Sequence, residues 1–163
     1  VIAMSEASSN LARFDGVRYG NSGGFDGNWN ETFSKSREAF GEEVKRRILL
    51  GTYALSAGYH DKYYKQAQDA RAWVKQDFDE AFESVDVLAS PTMPTPPFEV
   101  GDSLDDPLQM YLADANTVPV NLADLPAISV PAGEVDGGPV GVQFIGPAFG
   151  EEEIIRVGSA VEE

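Results

Sequence analysis

Few residues in this chain could do chemistry. Asp114 stands between Ala113 and Ala115, directly after Tyr111 and Leu112. A carboxylate set among small and apolar neighbours needs a partner if it is buried. Lys45, Arg46 and Arg47 run consecutively through an otherwise apolar helical pattern. Adjacent helical residues point about 100° apart, so at least one guanidinium should lie close to the buried side. Thr92 and Thr95 follow a short apolar strand pattern, and the ends of strands are where open α/β sheets place their ligands. For Asp114 a plainer role as a turn cap or a solvent-facing charge fits the spacing equally well.

Composition removes several classes of site. There is no cysteine, so a disulfide framework, a thiolate nucleophile and a Cys-ligated metal are excluded. The single histidine, His60, cannot build a multi-histidine metal site. Carboxylate-only magnesium or calcium binding stays open, but no D-x-D-x-D-G loop is present. The glycine- and asparagine-rich stretch NSGGFDGNWN reads as a loop and lacks the G-x-x-x-x-G-K-[ST] pattern of a phosphate cradle. Asp and Glu number 27 against 12 Lys and Arg, a formal net charge of −15. That argues against this chain carrying the main grip on a nucleic acid. It implies a solvated acidic surface of the kind a salt-rich cytoplasm would favour. No apolar run reaches the roughly 18 residues of a membrane span, and no signal peptide is visible, so a cytoplasmic chain with no membrane partner is expected.

The elements that must position these residues follow from periodicity. The organising stretch is DDPLQMYLADANTVPVNLADLPAISVPAG, residues 105–133. It reads as a helix-like QMYLADAN, a proline-punctuated turn, a polar step at Asn121, then an apolar run over 127–130 closed by Pro131 and Gly133. Upstream, residues 1–4 read as a strand and Ser5–Glu6 as the start of a helix carrying Ala7, Leu11 and Phe14 and ended by Gly16. Residues 40–59 predict one helix that buries Val44, Ile48, Leu49, Thr52 and Leu55. Gly51 weakens that helix by roughly 1 kcal/mol relative to alanine, and lets another backbone come close. Residues 61–84 predict a second long helix with Tyr64, Ala67, Arg71, Val74, Phe78, Ala81 and Phe82 along one stripe.

A strand over 85–89 leads into the proline-rich SPTMPTPPFEVG. Asp-Gly-Gly within residues 135–139 predicts a hairpin turn between 127–130 and 140–145. Glu151, Glu152 and Glu153 open the last helix at its favoured acidic end, with Ile154, Ile155 and Val161 as its apolar face. The sum is an α/β chain with a mixed sheet flanked by helices. It opens and stops inside such elements, so residues 1–163 are expected to be part of a longer protein.

Five segments, in order, carry a resemblance: EASSNLARFDGVRYG, GEEVKRRILLGTYALSAGY, DVLASPTMPTPPFEVG, DPLQMYLADANTVPVNLADLPAISVPAG and GGPVGVQFIGPAFGEE. Together they resemble the C-terminal part of the amidase signature family, and within it the glutamine-hydrolysing subunits of tRNA-dependent amidotransferases. The resemblance implies one amidase domain of which residues 1–163 are the C-terminal part. It implies a Ser, cis-Ser, Lys triad carried upstream, since no Gly-Ser-Ser-Gly-like stretch occurs here. This chain would then hold no catalytic residue and be inactive alone. It implies substrate-binding roles for Arg47 and Asp114, which would clasp the carboxylate and the ammonium of glutamine. A guanidinium offers a planar two-donor fork to a carboxylate, and an aspartate accepts from an ammonium.

The resemblance further implies partner subunits B and C, tRNA held mainly through a partner, and ATP and Mg used on that partner, with no metal or cofactor in this chain. The product would be Gln-tRNA(Gln) or Asn-tRNA(Asn). Two other readings stay open: a different amidase signature hydrolase, and a non-catalytic acidic module that binds a protein. A chain cut from a continuous sheet should also expose apolar surface and strand edges.

Overall fold

A computed structural model describes residues 1–25, 27–99 and 112–162. Its contacts cluster into two compact units, Val1–Ala70 and Arg71–Glu163. The segment 105–111 of the organising stretch lies outside the described residues, and with it the first three residues of its expected QMYLADAN helix; of the other five, Leu112 and Ala113 are helical and Asp114, Ala115 and Asn116 lie in a turn.

The first unit is helical. Helix α1 spans Ile2–Asn10, α2 Trp29–Glu38 and α3 Glu42–Leu55. The expected strand over residues 1–4 is instead the start of α1. The reason lies in packing: α1 buries Ile2 and Ser5, and a Cβ placed on Gly51 of α3 would sit 2.0 Å from the carbonyl oxygen of Met4. The two backbones touch where Gly51 has no side chain, as its position in the apolar helix led us to expect. A single 3-10 turn, Leu11–Arg13, continues α1 short of Gly16.

The single helix expected over 40–59 is one helix that ends at Leu55, with Gly41 as its N-cap, and the preceding loop closes earlier than expected: Asn28 caps α2, its side chain accepting from the backbone of Asn30. The face that α3 buries is also different. Gly51 and Ala54 are buried, whereas Leu49 is 71% exposed. A close-packed crossing needs small residues, so the stripe of small side chains turned inward instead of the largest apolar ones. Two hydroxyls in this unit, Ser5 Oγ and Ser36 Oγ, are buried with no hydrogen-bond partner among the described residues. Asp15 closes the loop after α1, its carboxylate accepting from the backbone of Val17 at 2.8 Å and Arg18 at 3.3 Å, and those bonds hold it below the usual aspartate range.

A short π-helical stretch, Asp61–Lys65, leads into α4, Gln66–Phe82. All seven residues of the expected stripe on this segment, from Tyr64 to Phe82, are half-buried. Helix α4 carries no fully buried residue.

The second unit is built on a three-stranded sheet of order β1-β3-β2. The strands are β1, Leu88–Pro91, β2, Ala127–Val135, and β3, Gly138–Ile145. Both pairings are antiparallel, so the α/β composition is as expected, while the parallel pairing of a mixed sheet is not found among the described residues. The expected hairpin is present and longer than the apolar runs suggested. Asp136 and Gly137 form its two-residue turn with φ of 52° and 79°, the left-handed pair a type I′ turn demands.

The first strand starts three residues and ends two residues later than expected, at Pro91, at a sheet edge where a missing N–H does no harm. The unit also carries α5, Val118–Leu122, where a proline-punctuated turn was expected, and α6, Glu151–Glu162. Pro119 falls in the first turn of α5, where its missing N–H is tolerated.

Val130, Phe144 and Ile154 form the core of this unit, with Ile128, Val142 and Val157 packed around them. Gly158 of α6 lies against Val130 and Ile128. Ile155 and Val161, expected on the buried face, are exposed, as is Phe149 at 95%. No helix among the described residues is long and apolar enough to cross a membrane.

Candidate functional site

The organising stretch reappears at the sheet's second face. Val130, Ile128, Val142 and Phe144 point to the core, so the alternate residues of each strand point the other way. Register sets Ser90 of β1 opposite Gln143 of β3, and Gln143 opposite Ser129 of β2. Directly opposed residues share a face, so three polar side chains form a row across the sheet. Gln143 is 3% exposed. Its Nε2 donates to Ser90 Oγ at 3.0 Å and to the backbone oxygen of Asn116 at 2.8 Å. Asn116 returns a bond from its Nδ2 to the oxygen of Pro91 at 3.0 Å.

Asp114 lies two residues before Asn116. Its carbonyl accepts from the backbone N–H groups of Thr117 and Val118 at 3.1 and 2.9 Å, so its main chain heads the turn into α5. The residue itself is exposed. Its backbone therefore takes the plain turn role, and its carboxylate is left at the surface.

Thr92 shares a hydroxyl hydrogen bond of 2.6 Å with Ser129 and lines, with Thr117, Asn121, Ser129 and Gln143, a polar cavity of about 390 Å³. Thr95 is elsewhere. It lines an apolar cavity of about 760 Å³ with Met93, Phe98 and the hairpin residues Val135 and Val140. Of the two threonines, only Thr92 belongs with the polar row. Arg71, assigned from periodicity to the helical stripe, reaches the end of α5: its Nε donates to the oxygen of Leu122 at 2.7 Å, and its Nη2 pairs with Asp124 at 2.6 Å.

Arg47 lies on α3 in the first unit. Arg46 is exposed and Arg47 half-buried, which matches the expectation that one arginine of the run sits near the buried side. Arg47 Nε donates to Glu43 Oε1 at 2.9 Å, while Arg46 Nη1 holds Glu43 Oε2 at 3.0 Å. That leaves the two terminal nitrogens of Arg47 outside the Glu43 bond, enough for a bidentate carboxylate. Arg47 and Asp114 thus stand in different units.

At the C-terminal end of α3, Tyr53 packs ring to ring with Tyr59 and Tyr63 of the following segment, with centroids 4.5 Å apart for Tyr53 and Tyr59 and a stacked Tyr59–Tyr63 pair. A hydrogen bond with Tyr59 pushes the Tyr53 phenol up to about 12. The neutral form is thus favoured in the fold, so this contribution is complete below the ordinary tyrosine value of 10.0 and is lost as pH rises towards about 12. A tyrosinate absorbance titration should show one late-ionising phenol. Tyr53→Phe should remove it, and an unchanged titration curve in that variant would assign the late component elsewhere.

The polar row was not found from sequence. Its signal was present: Gln143 is the one long polar side chain in the apolar run of β3.

Comparison with known proteins gives these residues a context. The family model "Amidase" matches residues 1–155. The A subunit of the glutamyl-tRNA(Gln) amidotransferase of Natronomonas pharaonis is 85% identical over 99% of this chain, which spans 38% of that protein's length. The protein of the same name from Haloarcula marismortui is 81% identical, again over 99% of this chain and 38% of its own length.

Among solved structures, the glutamyl-tRNA(Gln) amidotransferase A subunit of Thermotoga maritima aligns at a TM-score of 0.62 and 34% identity, covering 99% of this chain and 33% of that one. A bacterial aryl acylamidase of the amidase signature family aligns at 0.66 over 98% of this chain and 33% of its own, at 21% identity, a likeness of fold. A family match over nearly the whole length, with the expected fold behind it, settles the membership: this chain belongs to the amidase family.

Proposed function

We propose that this chain is the C-terminal part of a single amidase domain in the glutamine-hydrolysing subunit of a tRNA-dependent amidotransferase. In this reading it supplies the clasp for glutamine and not the nucleophile. The observation that supports this most is the 85% identity to the Natronomonas protein over 99% of the chain. The geometry adds chemistry that suits it. Arg47 keeps two guanidinium nitrogens outside its bond to Glu43, a fork for the α-carboxylate of glutamine. Asp114 has its backbone tied into a turn and is exposed, an acceptor for the α-ammonium.

Binding both ends of the zwitterion selects a free amino acid over a neutral amide. The triad would lie in the share of its relatives that this chain does not span. Ammonia released from the side-chain amide would pass to partner subunits, B and C, where ATP and Mg activate Glu-tRNA(Gln) or Asp-tRNA(Asn) in the cytoplasm. The tRNA would be held mainly by the partner, as the net charge of −15 here suits.

The test is glutamine hydrolysis by the 163 residues alone and by the same chain in its full natural reading frame. The shorter chain should be inactive and the longer one active on glutamine. Hydrolysis by the 163 residues unaided would place the nucleophile here and overturn the assignment. A longer chain that cleaves other amides but ignores glutamine would point to a different amidase signature hydrolase.

A further inference from the structure

Gln143 is buried in the middle of a strand, a place where an apolar residue would be the simple choice. A carboxamide nitrogen carries two hydrogens, and Gln143 has two acceptors for them, Ser90 Oγ and the backbone oxygen of Asn116. The partners lie 53 and 27 residues away in the chain, so the bonds tie three separate segments at one point.

The segment gained by this tie is the one that carries Asp114. Asn116 is fastened twice, through its own carbonyl to Gln143 and through its side chain to Pro91. Two residues upstream, the carbonyl of Asp114 is fixed by Thr117 and Val118. The hydrogen bonds that join this turn to the sheet thus run through Asn116. A side chain that must meet a small ligand has to be held within about 0.5 Å of its working position, and an exposed residue on a turn is not held so by packing.

The chemistry of the chosen side chain fits that task. A buried cation here would compete for the Asp114 charge, and a buried carboxylate would repel it. A neutral amide anchors the turn without altering the field at the carboxylate.

We propose that Gln143 is a positioning residue for glutamine binding: through Asn116 it sets the place of Asp114, and so the place of the substrate's ammonium. The inference rests on the substrate role proposed for Asp114. It assigns to the polar row of the sheet a function in affinity rather than in folding alone.

The experiment uses the protein in its full reading frame and measures KM and kcat for glutamine in Gln143→Met, Asp114→Ala and the double variant, with thermal unfolding of each. Methionine keeps the volume and removes both donors. Gln143→Met should raise KM about tenfold with kcat within about twofold, the size expected for hydrogen bonds lost from a buried network. The double variant should bind glutamine no worse than Asp114→Ala, because a misplaced side chain that is absent has nothing more to lose.

If Asp114→Ala leaves KM unchanged, the substrate role of Asp114 fails and this inference with it. If Asp114→Ala raises KM and Gln143→Met does not, only the positioning role fails. Effects of the two substitutions that add in full, or a fall in kcat and melting temperature with KM unmoved, would make Gln143 a structural residue only and overturn the inference. Should Gln143→Met not fold, Asn116→Ala, which cuts the bond to Pro91 and leaves the backbone oxygen in place, must raise KM in the same non-additive way, and a normal KM in it refutes the proposal.

Discussion

Arg47→Ala, made in the full reading frame, should raise the KM for glutamine by roughly 30- to 150-fold and leave kcat within a few-fold, the effect of losing about 2–3 kcal/mol of binding from a charge-assisted pair. The carboxylate of glutamine is separated by its whole aliphatic stem from the amide being broken. A contact there is the same in ground and transition states, and its loss falls on KM.

The arginine is half-buried and already bonded to Glu43 at 2.9 Å, which places the expected loss at the lower end of the range for buried pairs. Folding should be nearly unaffected, because a helical i, i+4 ion pair contributes only about 0.3–0.5 kcal/mol and Glu43 keeps Arg46. Arg47→Lys should recover little, since an ammonium is a point charge without the two-nitrogen fork. Steady-state kinetics with glutamine decide the matter. A KM equal to that of the unsubstituted protein would remove Arg47 from the site.

Gly51→Ala should disrupt the first unit. The added methyl carbon would lie 2.0 Å from the oxygen, 2.6 Å from the carbonyl carbon of Met4 and 3.0 Å from the nitrogen of Ser5. All three are main-chain atoms and cannot swing aside as a side-chain tip could, so α1 must lift away from α3. That exposes Ile2 and Ser5, which are 8% and 1% exposed at present. Alanine returns about 1 kcal/mol of helix propensity, and overpacking costs about 1–3 kcal/mol or more.

With helix backbones in contact the cost lies at or above the top of that range. A net loss of roughly 2 kcal/mol would lower Tm by about 4–8 °C for a chain of this size. Gly41→Ala is the control without a clash, since nothing stands within 4 Å of its added carbon and its φ of −61° suits alanine, its expected loss being that of a weaker N-cap, about 1 kcal/mol or less. Circular dichroism melts of the two variants should differ clearly. A Gly51→Ala protein that melts like the control would mean that the α1–α3 crossing is looser than described.

Several features of the chain were legible before any coordinates. The hairpin was written in Asp136-Gly137 between two apolar runs, because a two-residue turn with both φ positive admits few other residues. The helix around Gly51 and the close approach it permits followed from a glycine in an apolar helical pattern. Glu151–Glu153 marked the start of α6 through the helix dipole. Arg47 and Asp114 were reached through motif likeness, since no spacing rule joins residues so far apart in the chain.

What the residues alone did not decide was which stripe faces inward and which distant groups meet. Val1 to Met4 is apolar enough for a strand, and only contact with Gly51 makes it the first turn of α1. Leu49 looks like core by periodicity and is 71% exposed, because a tight helix crossing selects the small Gly51 and Ala54 over larger neighbours. Gln143 was not singled out in the sequence at all. Antiparallel register put it opposite Ser90 and Ser129, and the turn after Asp114 brought it a carbonyl. Local propensity and periodicity are properties of neighbours in sequence; the row that ties down Asn116 depends on register and on contacts 27 and 53 residues apart, and those exist only once the sheet has formed.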